Sequence, residues 1–459
     1  MNNFSISDLP KGAYIHMIGI GGISMSGIAE MLLNFGYKVS GSDAKSSGLT
    51  DRLKQNGAEI FIGQSADNIK NPDAVCYTAA ISPDNPELVK AKTLGIPVVE
   101  RAVFLGALLE KYKYPIAVAG THGKTTTSSM LSLVLLAAHK DPTILIGGEL
   151  SQIGGNYHIG GNEYLPFEAC EYVESFLHFK PFVSIITNIE EDHLDYFKDL
   201  NHIITSFVKF ASLTSDNGCN IVCIDENTTQ SIVQNVKKKA VTYALNNKNA
   251  DYTAENITLE KNGCPTFDIF NKDRKVLSVS LNVAGDHNIC NALGVTAACE
   301  FLGIEPEYIK SGLEEFRGAK RRFDRLGKTE TGVDVVDDYA HHPTEIKTTL
   351  ETAKKMGYNN VWVAFQPHTY TRTAAFLEQF ASALKTADRV MITDIYPARE
   401  KYDGTMHACD LARLIPGVVY MNDMDAMKQY ILSNAKPGDL VITMGAGNIC
   451  DLGYSLTQK

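Results

Sequence analysis

What this chain lacks narrows its class. It has no basic excess: 43 lysines and arginines stand against 53 aspartates and glutamates, a formal charge of -10. That balance argues against a nucleic-acid backbone as main partner, because phosphate contacts need clustered cations. No Cys-x-x-Cys occurs among the nine cysteines, and Cys219 and Cys223 have no second pair beside them. An odd, scattered set argues against a disulfide framework and against a zinc site, and fits buried thiols in a reducing compartment. The longest aliphatic stretch, near Met130–Ala138, is too short to span a bilayer. The opening Met-Asn-Asn-Phe-Ser-Ile-Ser-Asp lacks the basic and apolar regions of an export signal. Short-period repeats and low-complexity segments are also missing. The expectation is a cytoplasmic enzyme that binds neither nucleic acid nor membrane; nothing in the sequence fixes its oligomeric state.

What is present is a long β/α alternation. At 459 residues, 44% hydrophobic and 21% charged, the chain predicts two or three packed domains. Strands are predicted at Ala13–Ile18, Lys38–Asp43, Ala74–Tyr77 and Pro97–Val99, with helical spacing over Met25–Phe35. A second unit starts with the strand Ile116–Ala119 and a helix over Ser128–Ala138, and continues with strands at Phe182–Thr187 and Asn220–Ile224. Alternating residues over Asp251–Leu281 predict an antiparallel insertion, and helix returns after Gly285. A third unit predicts strands at Val333–Val336, Val361–Phe365, Val390–Thr393 and Leu440–Met444. The boundaries expected are 1–112, 113–318 and 319–459. Such alternation predicts an α/β protein with mostly parallel sheets, helices on both faces and ligands at the carboxyl ends of strands.

The sharpest motif is Gly120-Thr121-His122-Gly123-Lys124-Thr125-Thr126, between strand and helix. A glycine-rich turn there aims backbone N–H groups, a helix N-terminus and a lysine at one point, which is a polyphosphate cradle. Thr125, the first hydroxyl after the lysine, suits Mg²⁺. The turn is shorter than the usual loop, with only two residues between its glycines, so a tight turn with a surface lysine is the plain alternative. ATP use is the expectation, and Mg²⁺ with it. Oxygen-rich ligand candidates follow strands downstream, at Glu168-Ala-Cys-Glu171 and at Asn188-Ile-Glu-Glu-Asp-His193-Leu-Asp195. The second cluster also reads as acids at a helix N-terminus, which leaves Asn188 and His193 unexplained. Glu168 and His193 are the ligands favoured.

Gly19-x-Gly21-x-x-Ser24 also lies between strand and helix, and Asp43 ends the next strand. This resembles a dinucleotide fingerprint with Ser24 in place of its third glycine. In the third unit Arg321, Arg322, His341, His342, His368 and Arg372 gather near Gly445-Ala-Gly447 and predict a site for an anionic substrate.

These segments together resemble the Mur ligase family over nearly the whole chain: Gly19–Glu30, Gly120–Thr127, Asn188–Asp195, Gly285–Asn291, Arg321-Arg322-Phe323, Asp337–Pro343 and Phe365-Gln-Pro-His368. The resemblance implies a Rossmann-like UDP-binding domain, a central P-loop ATPase-type domain and a Rossmann-like C-terminal domain. It implies an ATP-dependent amide-bond ligase joining L-alanine to the carboxylate of UDP-N-acetylmuramic acid in cell-wall precursor synthesis. Gly19, Gly21, Gly22, Ser24 and Asp43 would hold the UDP-sugar, and His287, Asn288 and Asn291 the adenine end of ATP. Thr125, Glu168 and His193 would form the Mg²⁺ shell. Arg322, Tyr339, His341 and Arg372 would lie at the substrate end, with Lys124, Glu168, His193, Arg322 and His341 catalytic. Sister ligases carry a carbamoylated lysine, for which Lys209 is the candidate here.

The chain departs from the family pattern in three places. An acidic Glu-Ala-Asp-Glu-Ser-Asp run reads Glu168-Ala-Cys-Glu-Tyr-Val-Glu174, Pro-His-Arg-Tyr-Ser-Arg reads Pro367-His-Thr369-Tyr-Thr-Arg372, and Gly-Ala-Gly-Asp reads Gly445-Ala-Gly-Asn448. Thr369 thus stands where an arginine is expected, which bears on amino-acid recognition. Alternative functions are a peptide ligase of cell-wall recycling, a non-catalytic UDP-sugar-binding protein and a nicotinamide dehydrogenase; the last leaves Gly120–Thr126 unexplained.

Overall fold

In the computed structural model, residues 4–78, 80–402 and 404–457 are described, so the first three residues of the opening segment lie outside them. Three sheets follow one another along the chain. The first has five parallel strands in the spatial order Glu59–Ile62, Lys38–Asp43, Tyr14–Ile18, Ala74–Tyr77, Val98–Glu100. The order reverses beside Tyr14–Ile18, and the turn Gly19–Gly22 sits at that strand's carboxyl end, the usual ligand position in such a sheet. Ile15, Met17 and Ile18 are fully buried on both faces of it, as parallel strands covered by helices require.

The second sheet has ten strands. Tyr114–Ala119 lies at its middle, parallel to Tyr164–Glu168 on one side and to Val183–Ile186 on the other. Cys219–Cys223 and Ala240–Tyr243 extend it in parallel. The predicted insertion is the antiparallel meander Tyr252–Leu259, Pro265–Asn271, Arg274–Ser280 at one edge. The third sheet runs Asp324–Lys328, Asp334–Asp338, Leu440–Met444, Val361–Phe365, Arg389–Ile392, Val419–Tyr420, parallel except for its first strand.

Two local expectations change. The helix predicted from Ser128 runs over Lys124–Ala137, so Lys124, Thr125 and Thr126 occupy its first turn. Gly123, left-handed at φ 82°, sets that start earlier than the apolar spacing does. The acids of 188–195 do not open a helix either: the next one is Leu200–Ser212, capped by Asp199, whose carboxylate accepts the His202 N–H at 2.8 Å. Those acids have partners in the third unit instead. Among the described residues no helix is long and apolar enough to cross a membrane, and all nine cysteines are free.

Candidate active site

The glycine-rich turn is stitched to the end of the neighbouring strand. Asn188 Oδ1 accepts the His122 N–H at 2.8 Å, the Thr121 N–H donates to the Asn188 carbonyl at 3.1 Å, and the Thr187 hydroxyl donates to the His122 carbonyl at 2.6 Å. Gly120 has φ 143° and a Cβ there would overlap the Thr187 hydroxyl, so glycine is required at this close approach. Lys124 curls back over the turn. Its ammonium donates to the Gly120 carbonyl, to the Thr121 carbonyl at 3.1 Å and to Glu171 Oε2 at 3.0 Å. Burial works against that charge, but Glu171 outweighs it and holds the lysine above its ordinary pKa.

An oxygen cluster lies beside the lysine. The Thr125 hydroxyl donates to Glu168 Oε2 at 3.2 Å, and Glu168 Oε1 accepts the Gly147 N–H at 2.5 Å. A Cβ on Gly147 would come 2.7 Å from Glu168 Oε2, so the glycine leaves the carboxylate its place. The His193 Nε2 stands 3.9 Å from Glu171 and 3.7 Å from Asp192, its ring 4.7 Å from that of Tyr172. The Thr125 hydroxyl and the Glu168 carboxylate next to the glycine-rich turn are oxygen donors of the kind a hard divalent cation takes, while His193 pairs with Glu171 and Asp192. Lys209 is half-exposed and 3.6 Å from Glu174.

Behind the turn a cavity of about 420 Å³ runs between the second and third units. His122, Gly123, Thr126, His287, Asn288 and Asn291 line it on one side, and Arg322, Phe323 and Glu345 on the other. The three residues that the family resemblance assigns to the adenine end therefore line the same cavity as the glycine-rich turn. Burial pushes His287 down to about 4, leaving a neutral ring there. The Asn291 amide donates to Asn288 Oδ1 at 3.3 Å, and Asn288 donates to the Ala284 carbonyl at 2.7 Å.

Acids that the sequence pattern placed at a helix N-terminus, with Glu345, which it did not single out, join the units. Glu345 meets His122 Nδ1 at 3.2 Å, while Glu190 lies 3.6 Å from His122 Nε2 and accepts the Thr344 hydroxyl at 2.5 Å. His342 Nε2 donates to the Glu191 carbonyl at 3.0 Å. Arg372 donates to Asp192 Oδ1 through Nε at 3.2 Å and Nη2 at 3.0 Å. Burial pushes His122 down, but the charges of Glu345 and Glu190 overcome it and lift the imidazole to about 9. Burial also works to raise Asp192, yet His193 and Arg372 hold its carboxyl far below the usual range. One local signal pointed to Glu345: it is the third residue of the helix Pro343–Lys354 and closes a capping box with His342.

The expected cluster of cations is thus not a set of free charges. Arg321 donates to Asp337 at 3.0 Å and to the Gly445 and Gly447 carbonyls at 2.7 and 3.1 Å, which ties the glycine loop to the domain entry. Arg322 is 3.7 Å from Glu345 and its guanidinium lies 5.1 Å from the centre of the Tyr339 ring. His341 Nδ1 donates to the Tyr339 carbonyl at 2.9 Å, its ring 6.0 Å from that of His368. Burial, assisted by Arg372, takes His341 down to about 4, so the ring is neutral and Nε2 carries the open lone pair.

In the first unit the Gly21 N–H donates to Asp43 Oδ2 at 2.9 Å, closing the turn across the strand ends. Gly22 caps the helix Ile23–Asn34. Arg101, which the sequence pattern did not single out, donates to the Ser24 hydroxyl at 3.2 Å and adds the cation the turn lacks. A cavity of about 720 Å³ lies where the three units meet, lined by Ile23, Arg52, Glu149, Asn156, Lys320 and Arg322 among others.

Comparison with known proteins agrees with this architecture. Residues 14–113 match the catalytic domain model of the Mur ligase family, 118–299 the Mur ligase middle domain, and 321–447 the Mur ligase glutamate ligase domain. A UDP-N-acetylmuramate–L-alanine ligase of Acetivibrio thermocellus is 50% identical over 457 residues, 99% of this chain and 97% of that protein. The crystal structure of a UDP-N-acetylmuramate–alanine ligase from Thermotoga maritima is similar with a TM-score of 0.80 at 32% identity, over 97% of this chain and 98% of that one. A murein peptide ligase from Psychrobacter arcticus gives a TM-score of 0.71 at 26% identity, over 97% and 98%. Three sheets matched by three models in order, with relatives aligned along nearly the full length, mean that this chain belongs to the Mur ligase family.

Proposed function

We propose that the chain is an ATP-dependent carboxylate–amine ligase that joins L-alanine to UDP-N-acetylmuramic acid and releases ADP and phosphate. The observation that carries this reading is the Lys124 ammonium held over the phosphate turn, 3.0 Å from Glu171, beside the Thr125–Glu168 oxygen cluster. In the reading, the units 1–112, 113–318 and 319–459 bind the UDP-sugar, bind ATP and close over both. Gly19, Gly21, Gly22, Ser24 and Asp43 position the UDP end, and Arg101 neutralises part of its pyrophosphate.

The backbone of Gly120–Thr126 cradles the phosphates while His287, Asn288 and Asn291 line the adenine end. The muramoyl carboxylate oxygen attacks the γ-phosphorus, the bond to the β-phosphate oxygen breaks, and ADP leaves. Lys124 stabilises the charge on the transferring group. Mg²⁺ bound by Thr125, Glu168 and His193 would neutralise phosphate charge. The amine of L-alanine then attacks the acyl phosphate carbonyl and phosphate departs as the amide forms. The open Nε2 of neutral His341 accepts a hydrogen bond from the amine, and Arg322, Tyr339 and Arg372 shape that end of the cleft. The contacts from Glu190, Glu191 and Asp192 to the third unit keep the cleft closed, which matters because water destroys an acyl phosphate. A cytoplasmic location is part of this reading, because the free thiols fit a reducing compartment.

The test is ADP release with UDP-N-acetylmuramate and L-alanine, glycine, L-serine or a tripeptide supplied separately. L-Alanine is expected to give the fastest release. Faster release with the tripeptide would replace this reading with a recycling ligase, and release indifferent to any amine would remove the ligase assignment.

A further inference from the structure

The spacing of the cysteines argued against a zinc site, but the fold brings distant residues together. Cys223 ends the strand Cys219–Cys223, and Cys290 lies in the helix Asp286–Phe301, 67 positions later. Their sulfurs are 3.6 Å apart, and Asp225 Oδ2 lies 4.0 Å from each. A tetrahedral ion with bonds of about 2.3 Å to sulfur sets its two sulfurs about 3.8 Å apart, close to the separation seen. The carboxylate is fixed in place: Oδ2 accepts the Leu245 N–H at 2.8 Å, and Oδ1 accepts those of Asn246 and Asn247 at 2.8 and 3.0 Å. All three side chains line one cavity of about 390 Å³, which His287 and Asn291 also line, so an ion can enter and a fourth ligand can reach it from the cavity. Proposed phosphate chemistry uses none of the three.

We propose that Cys223, Asp225 and Cys290 form a binding site for a thiophilic divalent cation, Zn²⁺ by ligand chemistry, with two thiolates, one carboxylate oxygen and a cavity-facing fourth position. Binding displaces two protons, one from each thiol, and forms two metal–sulfur bonds without any change of oxidation state. The ion ties the strand to the helix, and any cation bound only to the folded state raises its stability.

The test uses the purified full chain, reduced with a phosphine and titrated with CdCl₂, CoCl₂ and ZnCl₂ in the absence of nucleotide. One Cd²⁺ per chain is expected, with a near-ultraviolet thiolate-to-cadmium band, tetrahedral Co²⁺ absorption, and a Zn²⁺-dependent rise in melting temperature. Cys223→Ser and Cys290→Ser abolish the band and the rise, while Cys409→Ser, in the third unit, keeps both. Cys290 is only partly buried, so its serine variant is the one expected to fold, checked by its metal-free melting. No band in the parent, octahedral Co²⁺ absorption, or a band that survives in folded Cys290→Ser would overturn the proposal.

Discussion

Lys124 holds its charge in a buried place with Glu171 as its main partner and Glu168 in support. A triphosphate offers the ammonium more negative charge than one carboxylate does, so in the proposed reaction the lysine is expected to move from Glu171 onto phosphate when nucleotide binds. Lys124→Ala removes a donor aimed at the transferring group, and turnover is expected to fall about 10²–10³-fold. Binding of the UDP-sugar, measured calorimetrically, stays near the parent value because that site lies in another unit. His122 gives a second residue-scale prediction. Its folded value of about 9 exceeds the ordinary 6.5, so its ion pairs contribute fully below pH 6.5 and are lost as pH rises through about 9. Melting temperatures of the parent and His122→Gln should differ most at the acid end of that window and converge above it. A gap constant with pH would contradict the assignment. The turn that holds Gly120, Lys124 and Thr125 between strand and helix was legible in the sequence because its geometry depends on neighbours a few positions away. The pairing of Arg372 with Asp192 was not, because the two are 180 positions apart and only the packing of two sheets brings them together.

Strands were the most legible elements. Ala74–Tyr77, Val361–Phe365 and Leu440–Met444 stand where their apolar runs predict them, since strands of a covered parallel sheet are apolar on both faces. Helix starts were less so, because the start at Lys124 depends on a left-handed glycine rather than on apolar spacing. The segment after Glu168 was not legible at all. Val173 and Glu174 are left-handed, at φ 50° and 55°, a conformation their side chains disfavour. Packing holds it: Phe176 is fully buried, stacked on Phe210 at 4.7 Å and edge-on to Phe207 at 5.1 Å. Phe176→Ala is therefore expected to cost about 3–5 kcal/mol in denaturant unfolding. Turnover is expected to fall as well, because the same segment carries Glu171. Loss of stability with turnover intact would separate the segment from the site.

Across the whole molecule, closure rests on several contacts between the second and third units, among them His122 with Glu345 and Lys355 with Asp286. Glu190, Glu191 and Asp192, in one loop of the second unit, reach Thr344, His342 and Arg372 of the third. In a double-mutant cycle Asp192→Asn and Arg372→Ala are expected to couple by about 0.5–3 kcal/mol. Each alone should enlarge the molecule in solution scattering and increase ADP release without amine, because an open cleft admits water to the acyl phosphate. Coupling near zero would mean that closure is held elsewhere. The central claim, that the terminal phosphate passes to a carboxylate, has a direct chemical test. UDP-N-acetylmuramate labelled with ¹⁸O in its carboxylate is turned over with ATP and L-alanine, and the inorganic phosphate is analysed by mass. One ¹⁸O per phosphate released is the predicted result, because the attacking oxygen leaves with the phosphoryl group when the amide forms. Unlabelled phosphate accompanying amide synthesis would contradict it.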